Sequence, residues 1–141
     1  MSAPEILARL AAARSADVEV WAGAGWRGSG TGAVTVAHDG DVLVLTEAGV
    51  WAPDGARPFR WRAASRWRLD GAALAVEHVR QGIPARAVLD RQPDGAWVGR
   101  EAHRCGDDRY SVTLRLDGAA VEVAWTIAGP CKAARVTTRY V

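Results

Sequence analysis

Lysine is almost missing from this chain of 141 residues: Lys132 is the only one, and every other basic side chain except the three histidines is arginine. With Ala, Gly, Val and Asp abundant, that bias reads as coding composition, and a net charge of only +2 gives no general nucleic-acid surface. Cysteine is scarce as well. Cys105 and Cys131 form no Cys-x-x-Cys, and no His-Glu-x-x-His accompanies them, so neither a metal site nor a metal cofactor is expected. No apolar run nears the roughly 20 residues that cross a bilayer, and Met1 to Arg14 lacks a basic start followed by an apolar stretch. The expectation is a cytoplasmic protein with free thiols and no membrane partner. A Gly-x-Ser-x-Gly elbow is absent too, which removes the anchor of one large class of serine hydrolases.

What is present is alternation. Phe59, Trp61, Ala63, Ser65, Trp67 and Leu69 occupy one parity, and Arg60, Arg62, Arg66 and Arg68 fall on the other, the signature of a strand with one buried face. Tyr110, Val112, Leu114 and Leu116 repeat the pattern, as do Val121, Val123, Trp125 and Ile127. Between such runs stand Asp39-Gly40, Asp54-Gly55, Asp70-Gly71, Asp94-Gly95 and Asp117-Gly118, dipeptides that accept the positive φ of tight hairpins. Strands are expected near residues 18–22, 33–38, 42–48, 58–69, 73–79, 85–90, 96–104, 109–116, 120–128 and 134–140. So many strands in one open sheet would leave long edges, and closure removes them. The fold class is therefore mainly β: one antiparallel meander closed into a small barrel over 1–141, preceded by a helix and linker over 1–16. Ser2 and Glu5 fit a capping box, with Ile6, Leu7, Leu10 and Ala11 as the apolar stripe, and the helix should pack on the sheet or plug one barrel end.

Gly23-Ala24-Gly25-Trp26-Arg27-Gly28 matches a dinucleotide fingerprint in form, but further glycines and then a strand follow, not a helix. It is expected to be a flexible loop. The densest chemistry lies in His103-Arg104-Cys105-Gly106-Asp107-Asp108-Arg109-Tyr110 at a hairpin, where Trp97, Glu101, His103 and Cys105 share parity. An imidazole, a thiol and two carboxylates near a turn can move protons; they can equally shape the turn and satisfy one another. Trp61 and Trp67 could stack bases, yet their neighbouring arginines face the opposite way, so nucleic acid is not expected as a partner.

His103-x-Cys105-Gly106-x-Asp108-x-Tyr110, Trp125-x-x-x-Gly129-Pro130-x-Lys132 and Thr138-x-Tyr140 resemble the small bacterial proteins grouped as domain-of-unknown-function family 6314. Glu47-x-Gly49 and the strand around Trp61 look similar as well. The resemblance implies a lipocalin-like or calycin-like barrel and carries no activity with it. Such proteins usually have Asp and an aromatic residue after Gly-Pro-x-Lys, where this chain has Ala133 and Ala134.

Three readings follow. The leading one is a binding module, a monomer or homodimer, that holds an amphipathic or anionic small molecule on Trp61, Trp67, Trp97, Cys105, Trp125, Lys132 and Tyr140. The second is an enzyme with His103 or Asp108 as general acid or base and Tyr110 orienting the substrate, and the sequence leaves open whether any reaction is catalysed. The third is a structural or partner-binding protein that uses the arginine face of residues 60–68. His103, Asp108, Tyr110 and Lys132 are expected to converge at one rim.

Overall fold

The computed structural model describes residues 1–80, 83–130 and 132–141. One helix, α1 (Ala3–Ala11), precedes strands β1 (Ser15–Ala22), β2 (Trp26–Asp39), β3 (Val42–Pro53), β4 (Phe59–Asp70), β5 (Ala73–Arg80), β6 (Ile83–Arg91), β7 (Trp97–Gly99), β8 (His103–Cys105), β9 (Asp108–Asp117), β10 (Ala120–Gly129) and β11 (Lys132–Tyr140). All pairings are antiparallel. Neighbours along the chain pair around the ring, β11 returns to β1, and β9 joins β7 to β10, so the sheet closes as a ten-membered barrel in which β7 and β8 share one place. The glycines of the five Asp-Gly turns all sit at φ between 59° and 88°, the region those hairpins require.

All ten expected strands are found, with two local differences. The strand expected over 96–104 is broken into β7 and β8. From Val98 to His103 the chain advances five residues while β9 advances three, from Thr113 to Tyr110, so two extra residues bulge out. An even insertion preserves parity, and Trp97 and His103 keep the same facing. The bulge is pinned outward: Arg100 donates to both oxygens of Asp90 at 2.6 and 2.9 Å, and its backbone N–H donates to the carbonyl of Val88 at 2.8 Å. The second difference corrects the expected loop before residue 33. Only Gly23–Gly25 leaves the sheet, as one 3-10 turn, and β2 begins at Trp26.

Register fixes the facing of each strand. Val34, Leu45, Trp67, Val76, Leu89, Trp97, Leu114, Val123 and Tyr140 all belong to one buried interior cluster, and the arginines of β4 point outward as the alternation requires. The helix begins with the expected reciprocal cap, in which Ser2 N–H donates to Glu5 Oε2 at 2.6 Å and Glu5 N–H donates to Ser2 Oγ at 3.4 Å. Its Ile6 and Leu10 are wholly buried, each contributing roughly 1.5–3 kcal/mol. Because α1 touches β3, β4 and β10, which lie about half a ring apart, it crosses the bore and closes that end. Arg9 ties it to the β9–β10 turn through a 2.6 Å hydrogen bond to the Gly118 carbonyl. Among the described residues no helix is long and apolar enough to cross a membrane.

Candidate ligand site at the open end of the barrel

Inward-facing side chains are buried near α1 and become accessible toward the other end. Phe59 is inward by register with Trp51, yet 53% exposed, and Trp61, His103, Asp108, Tyr110, Ile127 and Ala134 are all half-buried. A barrel plugged at both ends would leave these positions dry. The exposure gradient marks this end as a mouth.

One wall of the mouth is aromatic. Trp51 is itself buried with Val18 and Val136 in a small second core cluster; it stacks at a tilt on the exposed Trp26, with centroids 5.7 Å apart, and meets Phe59 edge-on at 6.4 Å. The outer part of the Trp61 ring sits against a lane of glycines: a Cβ added at Gly30 or Gly32 would stand 3.0 Å from it, and one at Gly49 would overlap it. Gly28 clears Trp51 in the same way, at 2.5 Å. Glycines at 28, 30 and 32 thus fill one parity of β2 and face inward, which is why this stretch is strand and not loop. The Nε1 atom of Trp61 is buried with no hydrogen-bond partner among the described residues.

Half a ring away, on β8 to β11, stands a polar rim. His103 pairs with Tyr110, the two rings meeting edge-on at 6.2 Å, and Cys105 pairs with Asp108. On the next strand pair Gly129 partners Lys132, and the Asp108 carboxylate fills the space where a Gly129 Cβ would project. The motif around His103 and the Gly129-Pro130-x-Lys132 turn are thereby one unit. His103, Asp108, Tyr110 and Lys132 lie at the same barrel end. Among the described residues no hydrogen bond or ion pair joins these four side chains to one another.

The floor is set by Trp125 and His78, whose rings meet 6.0 Å apart from strands on opposite sides of the bore. Below it the remaining expected ligand residues are packed away. Trp67 is 1% exposed and donates to Ser65 Oγ at 2.9 Å; Trp97 is 2% exposed; Tyr140 is 3% exposed and donates to Glu47 Oε2 at 3.3 Å. Cys105 is an exposed free thiol at the rim, whereas Cys131, also expected as a free thiol, lies outside the described residues. Among the described residues no group of three or more His, Cys, Asp or Glu could hold a metal ion.

Sequence reasoning missed Trp26, Trp51, Phe59 and the glycine lane. The signal was present as glycine at every second position from 28 to 32, a strand period in which no side chain shows.

Among curated proteins none matches the chain. Among solved structures it is similar to the S-type phycobiliprotein lyase CPES of Guillardia theta, with a TM-score of 0.64 and 11% identity over 100% of this chain and 92% of that one. That likeness bears on the fold, a lipocalin-like barrel. The model of a family of unknown function, DUF6314, matches residues 13–141, and the chain belongs to that family.

Proposed function

We propose that the protein is a small-molecule-binding barrel whose mouth holds an amphipathic ligand, its apolar body against Trp61 and Phe59 and its polar or anionic end at the rim of His103, Asp108, Tyr110 and Lys132. The observation that carries this reading is the glycine lane. Four glycines leave room on one wall for the rings of Trp51 and Trp61, and the opposite wall presents groups not committed to one another. A wall built only to fill the bore would favour branched aliphatic side chains there. The likeness to a lyase named for phycobiliproteins supports a barrel used as a container. In this reading Trp125 and His78 form the floor, while Trp67, Trp97 and Tyr140 serve packing. The rim also carries groups suited to proton transfer, the basis of the second reading, an enzyme.

Native mass spectrometry of the protein from its own host is the test. A retained mass in the wild type that disappears in Trp61→Leu and in Asp108→Asn, with melting temperature little changed in the latter, supports the reading. A melting temperature several degrees lower in Asp108→Asn, with the wild type ligand-free, would make the rim a structural latch and overturn it.

A further inference from the structure

The barrel wall has a seam. β6 pairs with β7 only over Leu89–Arg91, and β8 pairs with β9 alone, so among the described residues the first half of β6, paired with β5 on its other side, and β8 face each other with no ladder between them. The two run close together nevertheless. Pro84 on that stretch of β6 supplies no N–H, as is common on strand edges. A groove of about 960 Å³ follows the seam across the outer face of β4 to β6, and its lining reaches inward to His103, Val76 and Ala87.

The chemistry of this groove is amphipathic and cationic. Val42, Ala75 and Val88 form an apolar floor on the outside of the sheet, where Ala75 is only 8% exposed. Arg66, Arg68, Arg86, Arg100 and Arg104 stand around it. Three of these are engaged: Arg66 with Asp39 at 3.0 Å, Arg86 with Glu77, and Arg100 with Asp90. Among the described residues Arg68 and Arg104 make no ion pair, and Glu101 is the one carboxylate of the lining left against them. Guanidinium forks suit planar or tetrahedral oxyanions, and a concavity of this size matches a small ligand, not an extended protein surface.

We infer that the seam between β6 and β8 is a second binding site, on the outer face of the wall and bordering the mouth at His103, for an amphipathic small molecule bearing a carboxylate, sulfonate or phosphate, with Arg68 and Arg104 as its anion-binding residues. It does not depend on the mouth being a site. An acidic protein segment is the competing occupant, and the groove's apolar floor and limited volume argue for the small molecule.

The test uses 1-anilinonaphthalene-8-sulfonate, its uncharged analogue N-phenyl-1-naphthylamine, and a hexaglutamate peptide, each titrated into isotope-labelled full chain while backbone amide shifts are followed. The sulfonate is expected to shift the amides of Arg68, Ala75, Val88 and Ala102 saturably, and Arg68→Gln/Arg104→Gln to weaken that binding at least tenfold. Binding of the uncharged probe there should change less than twofold in the same variant. Sulfonate-induced shifts confined to Trp51, Gly129 and Lys132 would overturn the groove and leave the mouth reading standing. Shifts at the groove that ignore the double substitution, or that only the peptide produces, would also overturn it. Arg68 and Arg104 are exposed, so the folded control is the unchanged spectrum of the variant without probe.

Discussion

Gly32→Ala should destabilise the barrel although alanine is the better strand residue. Where backbone conformation permits, Gly→Ala gains about 0.4–1 kcal/mol by narrowing the unfolded ensemble. At Gly32 the new Cβ would lie 2.7 Å from the Ala48 carbonyl oxygen and 3.0 Å from Trp61 Cη2, and the first of these atoms belongs to the β2–β3 ladder and cannot swing aside. Overpacking of this kind costs about 1–3 kcal/mol, leaving a net loss of about 1–2 kcal/mol. For a chain of 141 residues the unfolding entropy is about 0.3 kcal/mol/K, so the melting temperature should fall by about 3–7 °C. Gly23→Ala is the control. There the nearest atom is the Ala133 carbonyl oxygen at 3.7 Å, ordinary contact, and stability should stay level or rise by up to about 1 kcal/mol. Urea unfolding at constant m-value measures both. Combining Gly32→Ala with Trp61→Leu should cost less than the sum of the single changes, since part of the clash is with the indole. Wild-type stability in Gly32→Ala, or additivity within about 0.3 kcal/mol in the double variant, would refute the account of the lane.

Ser2→Ala removes the acceptor for Glu5 N–H and should cost about 0.5–2 kcal/mol by thermal melting, since α1 is the plug of the bore. Gly129→Ala places a methyl where the Asp108 carboxylate lies; that side chain can rotate outward, so the melt should change by no more than about 1 kcal/mol while any mass retained by the wild type is lost. Arg100, beside Asp90, holds the Asp90 carboxyl below the usual value of 3.8. The folded state therefore binds this proton less readily than the unfolded chain, and the clamp's contribution is present above pH 3.8 and lost as the pH falls below it. Acid titration of Arg100→Gln should show a shallower loss of stability below pH 3.8 than the wild type, and identical slopes would remove the bulge clamp from the account.

The parts of this fold that were legible in the sequence are those with local causes. A strand with one dry face must alternate, so β4, β9 and β10 declared themselves through side chains at every second position. Asp-Gly turns and the Ser2–Glu5 cap are equally local. The bulge between β7 and β8 was not legible, because its cause is Arg100 reaching Asp90, ten residues back on another strand. The mouth was half legible for the same reason. Its polar rim is compressed into one hairpin and the adjoining turn, so His103, Asp108, Tyr110 and Lys132 could be grouped before any coordinates. Its aromatic wall depends on ring closure, which puts β3 and β4 opposite β9 and β10, and on α1 covering one end only. Trp61 and Trp67 share a strand and a face, yet α1 and ring closure put one at the mouth and the other in the core. Nor could alternation reveal β2, since glycine has no side chain with which to alternate. Its period appears only when Gly28, Gly30 and Gly32 are set against Trp51 and Trp61, residues 19 or more positions away whose rings need the space. A run of glycines at i, i+2 and i+4 preceding a tryptophan-rich strand is therefore better read as one half of a stacked wall than as a loop.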